Sequence, residues 1–264
     1  MVDITATATA TGMATASGVA NPYNQTGLVP ANDYEFYVRS DCGAMNGTSS
    51  WSGPFAFTSE CEVFVPDSIE TFTTFVPDCW KVADGGDLTT GPSNFGTSQW
   101  LAENFAHVGT GNGAVDINLF RAVVSDWIIS PFYDLSAGGY ELNLDVALTD
   151  YDNTSAGVMG SDDFVALAYT TDGTSWTALQ TWDVNNQPAT AGETYNDALT
   201  GITSAAVRFG IYATDGAVDD PGIDYDFHID NFEVKTAPVC NDVSAVTIDS
   251  VTADSVTVSW TENS

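Results

Sequence analysis

Apolar and polar residues alternate with a period of two along most of the chain, and helical spacing is rare. This alternation predicts β-strands that have one buried face and one polar face. Gly, Asn, Asp and Pro clusters separate the segments about every ten residues. The clearest predicted strands are residues 34–39, 140–148, 164–170, 205–212, 227–234 and 255–260. The pattern predicts an all-β sandwich.

Two local features refine this strand prediction. Residues 171–174 read Thr-Asp-Gly-Thr between two apolar segments, which predicts a tight hairpin turn. In the strand near residue 230, the apolar alternation runs to Ile229 and resumes at Phe232, three residues later. One extra residue predicts a β-bulge at Asp230 and Asn231, and a bulge would turn the Asp230 side chain inward.

The composition changes near residues 58–66 and 236–242, where Thr, Cys and Pro cluster, and we expect linkers there. They divide the chain into residues 1–60, 62–237 and 240–264. The first segment resembles the last strands of a fibronectin type III sandwich, with Tyr34 at the position of the tyrosine corner. The last segment resembles the first two strands of that fold. Neither reaches the ~100 residues of a complete sandwich, so we expect partial domains of a tandem array.

Four motifs in the middle segment carry a more specific resemblance. They are FVPDCW at 75–80, SDWIISPFYDL at 125–135, YTTDGTSW at 169–176 and FHIDNFEV at 227–234. Their types and order resemble the choice-of-anchor J, or cleaved-adhesin, domains, which are MAM-like jelly rolls. The resemblance implies a jelly-roll β-sandwich flanked by partial fibronectin type III domains. It also implies a secreted bacterial surface protein or an accessory domain of a secreted hydrolase.

The charge balance excludes two classes of partner. The chain has 36 acidic and 5 basic residues and a formal net charge of -31. A surface this negative repels nucleic-acid phosphates and anionic lipid headgroups. No apolar stretch approaches the ~20 residues that span a bilayer. We therefore expect neither nucleic-acid binding nor direct membrane insertion.

The four cysteines favour disulfides, because no CxxC pair suggests a thiolate metal site. Four cysteines allow three pairings, and the sequence alone leaves all three open. Cys61 and Cys79 bracket the first predicted strand of the middle segment and could be bonded to each other. Cys42 and Cys240 lie in the two partial domains. Disulfides indicate an extracellular or cell-surface location.

The usual catalytic motifs are missing from the sequence. It has two histidines and contains no GxSxG elbow, no HExxH helix and no GxxxxGK phosphate loop. A carboxylate pair for glycoside hydrolysis stays open, but 36 acids produce such pairs by chance. We expect a protein that is not an enzyme.

Asp, Asn and Gly in the loops are typical of Ca²⁺ sites, since Ca²⁺ prefers carboxylate and carbonyl oxygens. The family resemblance implies one structural Ca²⁺ site at Glu70 and Asp230, which would join the first and last strands. It implies a second near Asp84 and Asp87, where this chain lacks the middle acid of the family's loop. The alternative for each acid is that it caps a turn.

Aromatic residues near polar loops are candidates for sugar binding, because sugar rings stack on flat aromatic faces. The candidates are Trp100, Trp182 and Tyr195, which lie close to Asn, Gln or Asp in the sequence. By contrast, we expect Trp80, Trp127 and Trp176 to lie in the core, since they stand inside strand motifs. We expect His228 to be a hydrogen-bonded surface residue.

Together these features predict a non-catalytic adhesion or carbohydrate-binding module of a secreted or cell-surface multidomain bacterial protein. Its partners would be a polysaccharide or a cell-surface glycoprotein, together with neighbouring domains of the same array. Weak binding by one module would be strengthened by repetition. The alternative is a structural spacer or accessory domain of a secreted protease or glycoside hydrolase.

Overall fold

The structure is a computed structural model that describes residues 2–5, 16–110, 113–120, 124–238 and 243–261. These residues form an all-β protein, as the sequence pattern predicts. Their helical content is one short 3₁₀ turn, Phe105–His107. None of the described helices has the length and apolarity to cross a bilayer. Residue 1 and residues 6–15, 239–242 and 262–264 of the predicted flanking domains lie outside this description.

Nineteen strands account for the regular structure of these residues. In chain order they are β1 (Val2–Thr5), β2 (Ala16–Val19), β3 (Asp33–Ser40), β4 (Ser52–Thr58), β5 (Ser68–Glu70), β6 (Lys81–Asp84), β7 (Gly86–Asp87), β8 (Gly91–Pro92), β9 (Leu101–Glu103), β10 (Ala114–Leu119), β11 (Ser125–Tyr133), β12 (Tyr140–Asp150), β13 (Phe164–Thr170), β14 (Thr177–Asp183), β15 (Glu193–Asp197), β16 (Val207–Thr214), β17 (Tyr225–Thr236), β18 (Ser244–Val251) and β19 (Val256–Thr261). All six strands predicted from the alternation are present.

Two antiparallel sheets form the central sandwich. The front sheet has the order β15-β12-β17-β10-β9, and β5 pairs with the end of β17. The back sheet has the order β14-β13-β16-β11-β6. Strands that are distant in the sequence are neighbours in both sheets, as in a jelly roll. The predicted jelly-roll β-sandwich is confirmed.

The core lies between these sheets, because every second residue of each strand faces inward. Ile117 and Phe227 from the front sheet belong to the same buried cluster as Leu167 and Phe209 from the back sheet. All four side chains are at most 1% exposed. This apolar cluster fixes which residues of each strand face outward.

The two local predictions also hold. Gly173 has a positive φ of 78° in the turn between β13 and β14, and Asp172 accepts hydrogen bonds from the N–H groups of Thr174 and Ser175. In β17, Asn143 pairs with Glu233 and Asp145 pairs with Asp230, so two β17 residues lie opposite one β12 residue. This is the predicted bulge.

The segments on either side of the sandwich form separate sheets. The first has the order β2-β1-β3-β4, and the Tyr34 hydroxyl accepts a 2.7 Å hydrogen bond from the Val29 N–H, as in a tyrosine corner. The last is the β18-β19 hairpin, whose apolar side chains, including Ile248 and Trp260, are exposed. The fibronectin type III assignment and the domain boundaries remain predictions.

Cys61 and Cys79 form a disulfide, one of the pairings that the sequence left open. The bond joins the segment before β5 to the residue before Trp80. It closes a loop of 18 residues and constrains the unfolded chain. Cys42 is exposed and unpaired among the described residues, and Cys240 lies outside them.

An aromatic cluster covers the outer face of the back sheet. We call Trp127, Trp176 and Tyr212 the back patch; they are 0%, 9% and 4% exposed. The Trp127 ring centroid lies 5.0 Å from that of Trp176 and 4.7 Å from that of Tyr212. The prediction that Trp80, Trp127 and Trp176 are buried is confirmed, although the last two lie outside the main core.

Candidate functional site

Polar residues occupy the outer face of the front sheet, opposite the apolar core positions. On β10, Val115 and Ile117 face the core, whereas Asp116 and Asn118 face outward. Residues paired between neighbouring strands share a face. The strand register therefore arranges the outward side chains in rows across the sheet. A turn of the chain covers one half of these rows, and the other half is open.

The open half consists of two hydrogen-bonded rows, which we call the open rows. In the first, Asn196 donates to Asn143 at 2.7 Å and Asn143 donates to Glu233 at 2.9 Å. In the second, the Thr194 hydroxyl and the Asn231 amide donate to the two carboxylate oxygens of Asp145. The contacts hold these side chains in place. Their remaining lone pairs and N–H groups stay available to a ligand.

Phe105 lies at the border between the two halves. Its ring is partly exposed and stands against Gly192, the residue before β15, where a Cβ would collide with the ring. On the other side, its centroid lies 6.4 Å from the His228 ring. An apolar ring thus adjoins the open rows.

The covered half lies beneath the 3₁₀ turn Phe105–His107. Ala106 and His107 have positive φ values of 52° and 55°, a conformation that L-residues adopt at a cost of about 1–2 kcal/mol each. This backbone places His107 over the sheet, where its Nε2 lies 2.8 Å from Oδ2 of Asp226. The His107 ring is also perpendicular to that of His228, with the centroids 4.6 Å apart.

We call His107, Asp116, Asp226 and His228 the front patch. Asp116 is 8% exposed, Asp226 is 2% exposed and His228 is fully buried. Asp116 and His228 are direct partners in the β10–β17 ladder, so their side chains share the outer face. Four ionisable side chains therefore lie together in a region that is almost free of water.

The hydrogen bonds of the front patch are unevenly distributed. Asp226 accepts from Asn118 at 3.0 Å and from the Asp152 N–H at 2.8 Å, besides its contact with His107. His228 Nε2 lies 2.9 Å from the Thr149 hydroxyl. Its other nitrogen, Nδ1, is buried and has no partner among the described residues. A buried nitrogen without a partner costs free energy and calls for an explanation.

Burial also shifts the protonation of this patch. Loss of water raises the pKa of Asp116 to about 7, and the neighbouring Asp226 adds to the rise. Loss of water lowers the pKa of His228 to about 3, with a further contribution from His107. Near neutral pH, His228 is therefore neutral and Asp116 is poised between its two forms.

The predicted calcium residues lie elsewhere on the sandwich. Glu70 in β5 pairs with Phe232, one residue beyond the bulge that follows Asp230. Burial raises the pKa of Asp230 to about 6, and Asp145 and Glu70 contribute to the rise. The Glu70 carboxylate already accepts a hydrogen bond from the Phe72 N–H at 2.7 Å. The pair is close enough to interact, and the Ca²⁺ site stays a prediction.

Asp84 and Asp87 flank the tight turn between β6 and β7. One Asp87 oxygen accepts from the backbone N–H groups of Thr89 and Thr90, and these bonds lower the pKa of Asp87. Asp87 therefore caps the turn between β7 and β8, and turn capping was the alternative for this acid. A second Ca²⁺ site at this position stays a prediction.

The predicted sugar-binding aromatics face the interior, which corrects the sequence analysis. Trp100 and Trp182 are each 1% exposed and belong to the main core. Tyr195 packs its ring 5.6 Å from that of Trp182, and its hydroxyl donates to Asp197 at 3.0 Å. Their neighbours in sequence are polar, but their own positions point inward. The two tryptophans therefore offer no ring face to a saccharide, and the partly buried Tyr195 packs against the core.

His228 is hydrogen-bonded, as predicted, but the prediction that it lies at the surface is wrong. It alternates with Phe227 and Ile229 and therefore points out of the sandwich, as the sequence pattern indicates. The residue is nevertheless buried, because the turn at Phe105–His107, more than a hundred residues earlier in the chain, folds over it. Strand periodicity does not show whether a segment that is distant in the sequence covers an outward-facing residue.

A second ionisable cluster contains carboxylates only. Oxygens of Asp162, Asp163 and Asp220 lie within 4.8 Å of one another. Each carboxylate already accepts hydrogen bonds from the protein; Asp163, for example, accepts from the Tyr225 hydroxyl at 2.8 Å. The cluster fastens loops to the end of the sandwich.

One sizeable cleft lies beside the disulfide, between the residues after β4 and the back sheet. It has a volume of about 650 Å³. Its lining includes the cations Lys81 and Arg208 and the acids Glu60 and Asp78. The Arg208 guanidinium lies 4.2 Å from the centroid of the Phe132 ring. Its charges are mixed in sign and do not select one ligand class.

The open rows and the front patch were not predicted from the sequence. A signal for the rows was present, because Asn143 and Asp145 alternate with apolar residues in the predicted strand 140–148. Their partners Thr194 and Asn196 lie in β15, a strand the alternation did not single out. Only the strand register brings the two sets together.

No protein-family profile and no curated protein match the sequence. Among solved structures, a cleaved adhesin domain of Lys-gingipain from Porphyromonas gingivalis matches at 17% identity, 66% coverage of this chain, 99% of its own and a TM-score of 0.43. TmCBM61 in complex with beta-1,4-galactotriose matches at 15% identity, 61% and 90% coverage and a TM-score of 0.38. Carbohydrate-binding modules of the beta-sandwich superfamily match at 6% identity, 76% and 72% coverage and a TM-score of 0.40. Values this low do not identify a function, which has to come from the site itself.

Proposed function

We propose that this chain is a non-catalytic carbohydrate-binding or adhesion module of a secreted or cell-surface multidomain protein. Its partner is a polysaccharide or a cell-surface glycoprotein, and the contact surface is the open rows. The observation that carries this proposal is the chemistry of that surface. Amide, hydroxyl and carboxylate groups stand side by side on three strands and are held by mutual hydrogen bonds.

Such a surface suits saccharide hydroxyls, which both donate and accept hydrogen bonds. Asn143 and Asn196 retain amide groups for ligand contacts, and Asp145 retains lone pairs. Because the side chains are already fixed, a ligand does not have to order them. The rows are about 7 Å apart along the strands and cover roughly 10 Å across them, which suits a short oligosaccharide. Phe105 supplies an apolar face at one end.

Two further features support an extracellular setting. The Cys61–Cys79 disulfide is typical of proteins that fold in oxidising compartments. A net charge of -31 favours a neutral ligand, such as an uncharged glycan, over an anionic one. We retain Ca²⁺ at Glu70 and Asp230 as part of the proposal, because the acids of β5 and β17 interact there and an ion would offset their repulsion.

Calorimetric titration of glycans selected on an array tests the proposal. The wild-type chain should show saturable binding, and the double variant Asn143→Ala/Asn196→Ala should bind at least about tenfold more weakly, since it loses two hydrogen-bonding side chains. Lys81→Ala, an exposed change in the cleft, is the matched control and should bind normally. Loss of binding in the Lys81 variant alone would move the site to the cleft. If no glycan shows saturable binding, the spacer alternative is favoured and the proposal is overturned.

A further inference from the structure

The front patch contains a set of atoms suited to a metal ion. A nitrogen of His107 and carboxylate oxygens of Asp116 and Asp226 all lie within 4.8 Å of one another. The three side chains come from the 3₁₀ turn, β10 and β17. In a tetrahedral zinc site, ligand atoms about 2.0–2.2 Å from the ion lie about 3.3–3.6 Å from one another. Small side-chain movements would bring these atoms to that spacing.

The unpartnered nitrogen of His228 is an independent observation at the same place. Its ring contacts the ring of His107, and its own Nδ1 is fully buried without a hydrogen-bond partner. If Nε2–H donates to the Thr149 hydroxyl, Nδ1 carries a free lone pair. A water molecule bound to a metal ion would donate a hydrogen bond to this lone pair.

Charge balance points the same way. Asp116 and Asp226 place two carboxylates in a region of low dielectric constant, where their mutual repulsion is strong. No Lys or Arg forms an ion pair with either of them among the described residues. A divalent cation would neutralise both carboxylates and leave a site of zero net charge.

From this geometry we infer that His107, Asp116 and Asp226 bind one divalent transition-metal ion of the zinc type, with His228 next to the ion's fourth position. A nitrogen ligand favours Zn²⁺ over Ca²⁺, which takes oxygen ligands. On binding, the metal takes the place of the hydrogen bond between His107 and Asp226 and joins the two residues instead. The inference is independent of saccharide binding.

The cluster of Asp162, Asp163 and Asp220 serves as an internal comparison. It has the same number of candidate ligands at the same spacing, but it has no nitrogen ligand. A general attraction of cations to this acidic chain would involve both clusters. Specific zinc binding would involve only the front patch.

Competition with a chromophoric chelator measures the Zn²⁺ affinity of the purified chain. We expect one tight site per chain, an affinity reduced roughly 100-fold or more in His107→Ala and Asp116→Asn, and no change in Asp220→Asn. Asp116→Asn removes a buried carboxylate and keeps its shape, so it should fold at least as well as the wild type without metal. Equal Zn²⁺ affinity in the wild type and in Asp116→Asn would overturn the inference.

Two further measurements do not depend on how well a variant folds. The sequence has two histidines, so NMR of the wild-type imidazole nitrogens reports on His107 and His228 alone. Zn²⁺ should shift both sets of resonances, whereas Ca²⁺ should not. Zn²⁺ at 100 times its Kd should also raise the Tm by roughly 5–10 °C. Unchanged histidine spectra at saturating Zn²⁺ would contradict the assignment.

Discussion

The front and back patches cover opposite outer faces of one sandwich with opposite chemistry. In the back patch, the rings of Trp127, Trp176 and Tyr212 exclude water. In the front patch, the 3₁₀ turn Phe105–His107 covers Asp116, Asp226 and His228. Most residues of both patches are buried, but only the back patch consists of aromatic rings.

The contrast distinguishes an outer face that is buried for stability from one that is buried for function. Burying an aromatic ring is favourable in itself and accounts for the back patch, although the indole N–H groups of Trp127 and Trp176 have no partner among the described residues. Burying carboxylates and a histidine costs free energy, and no set of hydrogen bonds in the front patch satisfies all of them. Proteins retain such arrangements mainly at sites that bind or react.

The largest effect is expected in the back patch. Trp127→Ala should lower the free energy of unfolding by about 3–5 kcal/mol, because it leaves a cavity among closely packed rings. Denaturant unfolding measures this loss. The Zn²⁺ affinity at the front patch should not change. A loss below about 1 kcal/mol would show that the aromatic cover is not well packed.

The second effect is a pH dependence of stability that arises in the front patch only. Between the unfolded pKa of Asp116, near 3.9, and its folded pKa of about 7, the native state holds an extra proton, so stability falls as pH rises. His228 acts in the opposite sense, since its folded pKa of about 3 lies below the unfolded value near 6.5. Stability from His228 is lost as pH falls through that range.

Asp116→Asn removes the pH dependence of stability that comes from Asp116 and keeps the one that comes from His228. In metal-free buffer, its stability relative to the wild type should therefore rise by on the order of 2–4 kcal/mol between pH 4 and pH 7. Trp127→Phe in the back patch should change the overall stability but keep the wild-type pH dependence. Parallel profiles for Asp116→Asn and the wild type would show that Asp116 titrates normally.

A pair of glycines sharpens the comparison further. A Cβ at Gly210 would lie 2.6 Å from the Trp176 ring and 3.1 Å from the Trp127 ring, so Gly210→Ala should cost about 1–3 kcal/mol of stability. At Gly192, with a φ of 87°, a Cβ would displace the Phe105 ring. Gly192→Ala should weaken glycan binding, and Gly210→Ala should leave it unchanged. Calorimetry on both variants measures the difference.

The smallest effect concerns calcium at the bulge. Ca²⁺ at ten times its Kd should stabilise the wild type by about 1.4 kcal/mol, and EDTA should reverse this. Asp230→Asn should abolish the Ca²⁺ effect. Because burial already raises the pKa of Asp230 to about 6, the variant should be no less stable than the wild type in Ca²⁺-free buffer at pH 7. A Tm that does not respond to Ca²⁺ in either protein would exclude the site.

Sequence patterns predicted the parts of the fold that depend on local chemistry. Period-two alternation located the strands, the Asp-Gly pair located the turn before β14, and the phase change after Ile229 located the bulge. Each of these signals lies within a few residues of the structure it specifies. The Cys61–Cys79 pairing was among the options because both cysteines flank one strand.

The functional surface could not be predicted in the same way, because its parts meet only through tertiary contacts. Thr194 reaches Asp145 through strand pairing, and His107 reaches His228 through a turn that folds over the sheet. Trp100 and Trp182 were misplaced for a related reason. Polar neighbours in the sequence indicated a loop, but Trp182 in β14 and Trp100 just before β9 are both buried in the main core.

The most direct test of the central claim is an NMR titration of the ¹⁵N-labelled chain with a glycan that binds it. The outward face of β12, β15 and β17 is the proposed contact surface, so the side-chain amides of Asn143, Asn196 and Asn231 should shift with saturation. Amides around the back patch should stay in place. Shifts confined to the cleft beside Cys61 and Cys79, with none in these three amides, would contradict the account.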